Sequence, residues 1–358
     1  MRVLWRRYAP SAAFFEPVQP QGRISENGPM RFCRLFHVIV FGLGAAASHA
    51  EAQSARVPKG QAPGRAAAHV HTHLKRHPRV ALTFDDLPAA GGLPVDETRV
   101  DIVTRLADEL KAAHLKGVYG FVNAIDLEND SDVQEALQRW VSSGMNIGNH
   151  TWSHPSLNSV SAHTFEQDIA RDEPTLRQYA GDRDWHWFRF PYLEEGATLE
   201  KRNHVRQWLR EHGYRIAQVT LTIQDDDWSD PYIRCLAKHD EAGIAWLKQS
   251  YVENAAHLIR LGREEELIVF GHEIPNVLLL HATGFTTLML PSLLQILRQD
   301  GFRFMPLAKV ERNSAYALDP SLGLADGGTL PSQLIEARHL KWPAFKPEPL
   351  QSLDRICR

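Results

Sequence analysis

Short apolar runs alternate with amphipathic segments from residue 79 onward, and this alternation restricts the possible folds more than any other feature. The amphipathic segments, such as residues 99–116, repeat apolar side chains at the spacing of a helix. Runs of four to eight residues predict seven strands, at 80–84, 118–122, 145–148, 187–190, 214–221, 277–280 and 302–305. Strands that alternate with helices pair in parallel through right-handed crossovers. The pattern predicts an α/β protein, a distorted TIM-like (β/α)7 barrel of parallel strands with helices outside.

Two helical segments contain features that affect their continuity. The helix that begins after Ser161 includes Pro174, which lacks a backbone N–H and should kink or break it. The stretch 225–263 is long enough to hold more than one helix.

The side chains that could carry chemistry stand where predicted strands end. They are Asp85 and Asp86 after the first strand, His150 and His154 after the third, Arg189 to Tyr192 at the fourth, Asp227 and Trp228 after the fifth, and His281 after the sixth. In (β/α) barrels the active site lies at the carboxyl ends of the strands. The sequence therefore predicts one site to which all of these segments contribute.

The pair His150 and His154 is followed directly by Pro155. Proline disfavours helical geometry at the preceding residue, so the segment should form a tight loop in which both imidazoles can reach one metal ion. In a chain with 18 histidines the spacing alone is a weak indication of a metal site. The consecutive carboxylates Asp85 and Asp86 strengthen the prediction, because they offer a third ligand and a base.

Two histidines compete for the role of a proton donor. His272 follows the apolar residues 268–270, and His281 follows the longer strand-like run 277–280. The second run is followed by a helical pattern, as a βα unit requires, and it brings His281 to the carboxyl end of the barrel. His272 would lie near the amino end of that strand. We therefore favour His281 over His272.

Composition and charge limit the class of protein. The 358 residues are 43% apolar with a formal net charge of -3, which is typical of a soluble globular protein and does not favour nucleic acid as a partner. Residues 30–52 combine a basic start, an uncharged apolar run and small residues, which predicts a signal peptide and export to the periplasm or the exterior. The apolar run is too short for a permanent membrane anchor. We divide the chain into a leader or mis-assigned start (1–29), the signal peptide (30–52), a flexible linker (53–78), the main domain (79–315) and a C-terminal tail (316–358).

Cysteine usage leaves one question open. Cys33 would be removed with the signal peptide, so the mature chain keeps Cys235 and Cys357. These two could form one disulfide in an oxidising compartment or remain two unpaired thiols.

Five segments, in order, resemble the motifs of the polysaccharide deacetylase family. These are the NodB-type deacetylases of carbohydrate esterase family four, which act on chitin, peptidoglycan and related N-acetylated glycans. The segments are Thr83-Phe84-Asp85-Asp86, His150-Thr151-Trp152-Ser153-His154, Arg189-Phe190-Pro191-Tyr192, Asp227-Trp228 and Leu279-Leu280-His281. The order of the motifs is more specific than any one of them.

The resemblance implies a divalent metal held by Asp86, His150 and His154, with zinc favoured and cobalt or nickel as alternatives. It also implies Asp85 as the general base, and we choose His281 as the general acid. The family's motif-three arginine contacts the base and is held by the motif-four carboxylate. In this chain the arginine is Arg189, and the carboxylate is Asp227 in our interpretation, with Asp225 and Asp226 as alternatives. Trp228 and Leu279 would line an apolar pocket for the acetyl methyl group, and the backbone N–H of Tyr192 would help to hold the oxyanion.

These roles describe the hydrolysis of an acetyl group by water. A bound divalent metal can lower the pKa of water from 15.7 to about 7, and a base and an acid then move the protons. The expected function is the metal-dependent removal of acetyl groups from an N-acetylated or O-acetylated polysaccharide. The alternatives are a catalytically silent carbohydrate-binding barrel and a hydrolase of small non-peptide amides, which would need a closed pocket and not an open groove.

Overall fold

The computed structural model describes residues 77–88, 90–128, 130–344 and 350–358. The predicted leader, the signal peptide and the linker up to residue 76 lie outside the described residues, so these three assignments remain predictions.

The paired strands of the sheet are parallel, as the alternating pattern predicts. Within the described residues the strands are β1 (Arg79–Leu87), β2 (Tyr119–Val122), β3 (Asn146–Asn149), β4 (Trp187–Phe188), β5 (Arg215–Ile216), β6 (Leu221–Thr222), β7 (Asn276–His281) and β8 (Arg303–Phe304). They pair in the order β5-β4-β3-β2-β1-β7-β6, and β8 pairs with the first residues of β1. The predicted distorted (β/α)7 barrel is confirmed.

The strand predicted at 214–221 differs most from expectation, because it is divided into β5 and β6. The first part pairs with β4 and the second with β7, so this one segment joins the two sides of the sheet. The N–H groups of Ala217 and Thr220 still donate to the carbonyl oxygens of Phe188 and Val277, at 2.8 and 3.0 Å. The interruption between the two strands leaves the peptide that joins residues 217 and 218 available to side chains.

Strand β1 presents two different rows of side chains, because successive residues of a strand point to opposite faces. Val80, Leu82 and Phe84 belong to the large core beneath the helices, whereas Ala81 lies in a smaller cluster contributed by inner-facing residues of several strands. Strand β7 pairs with β1 in register, and this register places Asp85 opposite His281. Two of the predicted catalytic residues are therefore neighbours on adjacent strands.

The helices surround this sheet. Within the described residues they are α1 (Arg99–Ala112), α2 (Ser131–Ser142), α3 (Ala162–Ala180), α4 (Leu199–Glu211), α5 (Ser229–Ala237), α6 (Glu241–Phe270), α7 (Gly284–Gln299), α8 (Leu307–Val310), α9 (Leu330–Ala337) and α10 (Leu350–Leu353). Short 3-10 helices cover Ala124–Glu128, Pro191–Leu193, Asp225–Trp228 and Ser314–Ala317.

The predictions for individual helices had mixed outcomes. A break of the third helix at Pro174 was wrong, because α3 continues through it, with the buried residues Ile169 and Leu176 on either side packed in the core. Tertiary packing of an apolar face can outweigh the hydrogen bond that proline removes. The expectation of more than one helix in 225–263 is confirmed by α5 and α6. Helix α6 also includes residues 268–270, so the apolar run before His272 is helical and not a strand.

The C-terminal tail packs on the same body as the barrel. Helix α9 contacts α6, and the buried Leu353 belongs to the main core. Cys235 of α5 and Cys357 form a disulfide, which answers the question that the sequence left open. The last residues of the chain are thereby joined to the helix that follows the turn Asp225–Trp228.

Candidate active site

Asp86, His150 and His154 turn their ligand atoms toward one another. Oδ1 of Asp86 lies 3.4 Å from Nε2 of His150 and 3.3 Å from Nε2 of His154. Ligand atoms held about 2.0–2.1 Å from one tetrahedral ion lie roughly 3.3 Å apart. Oδ1 of Asp86 is buried and has no hydrogen-bond partner among the described residues, although burying an unpaired carboxylate oxygen is costly. A divalent cation therefore fits this set of donors.

The loop that carries both histidines is held by side chains that bind its backbone. Asn123 donates from Nδ2 to the carbonyl oxygens of His150 and Thr151, at 2.7 and 2.9 Å, and Asn149 accepts the N–H of Thr151 at 2.8 Å. Thr151 and His154 have φ angles of 68° and 55°. Such left-handed conformations cost non-glycine residues ~1–3 kcal/mol each and persist where the surroundings fix them. The predicted tight loop is confirmed.

Asp168 of α3 accepts hydrogen bonds from the middle of the same loop. Its two carboxylate oxygens accept the N–H and the hydroxyl of Ser153, both at 2.8 Å, and its carbonyl accepts the N–H of Trp152 at 3.1 Å. Sequence reasoning missed both Asp168 and Asn123. Each is a single polar residue on another element, and nothing in its sequence context distinguishes it from a surface residue.

His150 presents Nε2 to Asp86 because its other ring nitrogen is occupied. Nδ1 lies 2.8 Å from the carbonyl oxygen of Arg189. A carbonyl only accepts, so Nδ1 carries the proton and Nε2 presents its lone pair. This arrangement is typical of histidines that bind metals, where the second nitrogen fixes the orientation of the ring.

The charge states of this group also suit a metal, whose ligands must be deprotonated. Burial lowers the pKa of His154 to about 4, against the attraction of Asp86. Burial raises the pKa of Asp86, but the imidazoles of His154 and His150 lower it by more, so the pKa of this carboxyl lies well below its ordinary value. At neutral pH the group therefore offers a carboxylate and a neutral His154.

Asp85 lies beside this group and is held by Arg189. Both carboxylate oxygens accept from Nη1 of Arg189, at 3.1 and 3.2 Å, and Oδ2 lies 3.8 Å from Nε2 of His150. Arg189 also donates from Nη2 to the hydroxyl of Thr83 at 3.1 Å and from Nε to the carbonyl of Ala217 at 2.8 Å. Since both Asp85 and Arg189 are buried, the carboxylate is fixed next to the metal-ligand group.

The expected pairing of Arg189 with Asp227 is not formed, and this part of our interpretation was wrong. Within the described residues, the hydrogen bonds of the Arg189 side chain go to the three groups just named. The turn Asp225–Trp228 follows β6, and β6 is the neighbour of β7, so its carboxylates meet His281 and not the arginine after β4. Burial and the two preceding carboxylates raise the pKa of Asp227 to about 7.

His281 is held by Asp225, one of the two alternatives to Asp227. Nδ1 of His281 lies 3.0 Å from Oδ1 of Asp225, and the backbone N–H of His281 donates to Oδ2 at 2.8 Å. Asp225 is fully buried, and its Oδ2 also accepts the hydroxyl of Thr286 at 2.6 Å. Burial lowers the pKa of His281, but Asp226 and Asp225 raise it by more, so it lies well above its ordinary value. Asp226 and Asp225 thus favour the protonated ring, and since Asp225 engages Nδ1, Nε2 is the nitrogen able to donate a proton.

Asp225, Asp226 and His281 also lie close enough together to be considered as a metal site. Unlike the unpaired oxygen of Asp86, both oxygens of Asp225 already accept hydrogen bonds from the protein. We therefore interpret this second group as a charged support for His281. The competing His272 lies exposed after α6, with Nδ1 2.9 Å from the carbonyl of Phe270.

The predicted substrate-binding residues lie at the same end of the barrel. The ring of Tyr192 packs edge-on against His154 with centroids 4.5 Å apart, and 49% of the residue is exposed. Tyr192 has a φ of 58°, and the following N–H groups of Leu193 and Glu194 return to the carbonyls of Phe190 and Pro191.

Trp228 and Leu279 are the predicted apolar residues next to this end of the barrel. Trp228 is buried and donates from its indole to Ser250 at 2.9 Å. Leu279 is 7% exposed and lies two residues before His281, so it shares the face of β7 that carries the imidazole.

Comparison with known proteins agrees with the motifs. Residues 74–217 match the family model described as polysaccharide deacetylase. This match covers less than half of the chain, so the chain is similar to the family over that part. The resemblance that the five motifs carry is confirmed, although the match includes only the first three and ends before the segment that supplies His281.

Two curated relatives are peptidoglycan-N-acetylglucosamine deacetylases. The protein from Bacillus cereus is 29% identical over 146 residues, which are 41% of this chain and 46% of the relative. The protein from Listeria monocytogenes is 24% identical over 233 residues, which are 65% of this chain and 39% of the relative. The matched part of this chain therefore spans less than half the length of these relatives.

A solved chitin deacetylase from the fungal pathogen Colletotrichum lindemuthianum aligns with 66% of this chain and 88% of its own, at 21% identity and a TM-score of 0.46. The fold assignment rests on the strand order described above. In residues 77–88, 90–128, 130–344 and 350–358, no helix combines the length and the apolar composition needed to cross a bilayer.

Proposed function

We propose that this protein is a metal-dependent deacetylase that hydrolyses the N-acetyl groups of a glycan containing N-acetylglucosamine. The observation that carries the proposal is the register of β1 and β7, which pairs Asp85 with His281 next to three converging ligand atoms. Amide hydrolysis needs a base for the attacking water and an acid for the departing amine, both within reach of the same bond. The match of residues 74–217 to the family model and the names of the relatives support the substrate class.

Zinc is the metal we propose, with cobalt and nickel as alternatives. Two imidazoles and one carboxylate are a ligand set typical of catalytic zinc, because they leave a position open for water or substrate. When bound, such an ion supplies Lewis acidity, which lowers the pKa of water and polarises a carbonyl. Asp86, His150 and His154 are the residues that would hold it.

The chain's own residues then divide the work of proton transfer. Asp85 takes a proton from the attacking water, and the two hydrogen bonds from the buried guanidinium of Arg189 hold that carboxylate in its orientation. His281 gives the proton on Nε2 to the amine nitrogen as the C–N bond breaks and acetate is released. Asp225 stabilises the protonated ring before the transfer. Because Asp225 binds Nδ1, Nε2 is left to make the transfer.

Binding of the acetyl group is assigned to three further residues. Leu279 and Trp228 offer the apolar surface on which the methyl group would lie. The N–H of Tyr192 would donate to the developing oxyanion, and removing a donor of this kind typically costs ~3 kcal/mol of activation free energy.

We also propose that the protein works outside the cytoplasm. Two independent features support this location, namely the signal-like composition of residues 30–52 and the disulfide between Cys235 and Cys357. Disulfides of this kind persist in oxidising compartments and are rare in the cytosol.

The direct test is acetate release by the metal-loaded protein from peptidoglycan, chitin oligomers and acetylated xylan, with and without chelator. We expect release from at least one substrate containing N-acetylglucosamine, loss of release with chelator, and recovery when zinc is restored. Asp85→Asn is the matched control, because it should keep the metal. Release from acetylated xylan alone would change the substrate class to O-acetyl esters, and no release from any substrate by metal-loaded protein would overturn the proposal.

A further inference from the structure

The peptide between Ala217 and Gln218 is bound on both of its polar groups, by the buried Arg189 and the half-buried Glu311. Its carbonyl oxygen accepts from Nε of Arg189 at 2.8 Å. Its N–H donates to Oε1 of Glu311 at 2.9 Å. One rigid planar unit therefore connects Glu311 to the arginine that holds Asp85.

This peptide is available because the sheet is interrupted there. Between β5 and β6 the segment 217–220 makes no regular ladder, so the carbonyl of Ala217 can accept from a side chain. Glu311 arrives from a distant part of the chain, directly after α8. Leu307 and Val310 of α8 pack with Ala217 in the smaller hydrophobic cluster that also contains Ala81.

Arg189 is thus linked to two acidic side chains. Asp85 receives its Nη1 directly, while Glu311 acts across the peptide and, after Asp85, is the second acidic side chain that raises the pKa of Arg189 against the effect of burial. Hydrogen bonds in a chain polarise one another, so an acceptor on the N–H of residue 218 strengthens the carbonyl of residue 217 as an acceptor. A carboxylate in the turn after β6 was expected to hold this arginine, but Asp225 and Asp226 of that turn support His281.

We infer that Glu311 is a positioning residue for the deacetylation proposed above. It fixes the peptide of Ala217 and Gln218, this peptide fixes Arg189, and Arg189 fixes the base Asp85. The hydrogen bond of Glu311 goes to the backbone of Gln218 and not to Asp86, His150 or His154, and Glu311 lies beyond the part of the chain that matches the family model. The inference rests on the proposed function only for its effect on turnover, because the chain of contacts can be tested without substrate.

The first test measures the Nε–H of Arg189 by NMR in metal-free protein. We expect slow exchange with solvent in the wild type, faster exchange in Glu311→Leu, and near wild-type exchange in Glu311→Gln, whose amide oxygen can still accept from residue 218. Glu311→Asp keeps the carboxyl group but withdraws the oxygen by one methylene, and it carries the test if the leucine variant does not fold. Unchanged exchange in the leucine or aspartate variant would overturn the inference.

The second test is kinetic. In Glu311→Leu we expect kcat to fall about 10-fold, with KM and bound metal unchanged, because a displaced base slows the chemical step. Adding Glu311→Leu to Arg189→Lys should lower kcat little further, since the two residues act as one unit. Fully additive effects would mean that Glu311 acts by another route.

Glu266 provides the matched control. It is buried, it accepts the backbone N–H of Ile274 at 3.1 Å, and burial raises its pKa to about 8, as it does for Glu311. Glu266→Leu should cost a similar amount of stability and leave kcat unchanged. Equal losses of kcat in Glu266→Leu and Glu311→Leu would overturn the inference while leaving the deacetylase proposal intact, and an inactive wild type would do the reverse.

Discussion

Two groups of aspartate and histidine lie at the same end of the barrel and differ in how their charges are satisfied. In the first, Oδ1 of Asp86 has no protein partner among the described residues, and burial lowers the pKa of His154 to about 4. In the second, Asp225 accepts three hydrogen bonds, and its carboxylate helps to raise the pKa of His281 well above its ordinary value. In the function proposed here, the same residue types bind a cation in one place and donate a proton in the other.

The difference shows that residue type and proximity do not define a metal site. What separates the two groups is whether the carboxylate is already engaged by donors of the protein. The supports differ accordingly. The side chains of Asn123 and Asp168 bind the backbone of the loop that carries His150 and His154. His281 is held by hydrogen bonds and negative charge from Asp225 acting directly on the imidazole.

The largest effect is expected from removing a metal ligand. Asp86→Ala, His150→Ala and His154→Ala should each lose bound metal and lower turnover by on the order of 10⁴-fold, since a metal supplies several kcal/mol and about 1.4 kcal/mol corresponds to a factor of ten. Metal content by elemental analysis, beside acetate release, is the measurement. The exposed His163 provides the control His163→Ala. Stoichiometric metal in all three ligand variants would remove the distinction between the two groups.

The next largest effect is expected at the base. Asp85→Asn should keep the metal and lower kcat by roughly 10²–10⁴-fold, which is the usual range for a general base. Metal content and kcat measured on the same sample separate this role from ligation. Loss of metal in this variant would make Asp85 a ligand.

Removing the acid should cost somewhat less. His281→Ala is expected to lower kcat by about 10²–10³-fold with metal retained, whereas His272→Ala should stay near wild type. The comparison is informative because both residues are histidines near the ends of neighbouring elements. A larger loss in His272→Ala would move the proton donor to that residue.

A smaller effect that depends on pH is expected from the support of the acid. A general acid must be protonated, so activity should fall as pH rises through the pKa of His281. Asp225→Asn removes a negative charge that raises this pKa, so the basic limb of the kcat profile should move to lower pH, with a loss of roughly tenfold at neutral pH. Asp227→Asn tests the discarded pairing, which predicts a loss of kcat through a displaced Arg189 and Asp85. A loss of kcat in Asp227→Asn as large as that of an Arg189 variant would favour the discarded pairing.

The smallest effect is expected in the support of the ligand loop. Asn123→Ala removes two hydrogen bonds to the carbonyls of His150 and Thr151, and metal affinity should fall about 10-fold, as is usual for residues that orient ligands. Competition with a chelator measures the affinity, while the pH profile should not move. A moved basic limb would mean that the two groups are coupled.

Much of the fold and the centre of the site could be predicted from sequence, because that information is local. Alternating apolar runs indicate a parallel barrel, and Asp86, His150 and His154 occur in short segments at strand ends. The partner of Arg189 could not be predicted in this way. It depends on which strands are neighbours, and the structure puts the turn after β6 beside His281.

Long separations in sequence explain the other omissions. Glu311 and Gln218 are 93 residues apart, and Asp168 lies 15 residues from the serine that it binds. No pattern of spacing identifies such contacts before the chain is folded. The interruption between β5 and β6 was equally hidden, because the apolar run that predicts one strand continues through it.

The bond between Cys235 and Cys357 has a practical consequence for anyone who produces this protein. It ties the end of the chain to α5, which begins directly after the carboxylates that support the proton donor. Protein made in a reducing host, or stored with a thiol reagent, would keep Asp86, His150 and His154 in place. It would nevertheless loosen α5, next to the carboxylates that support His281. Peptide mapping of unreduced samples should therefore precede any kinetic comparison between batches.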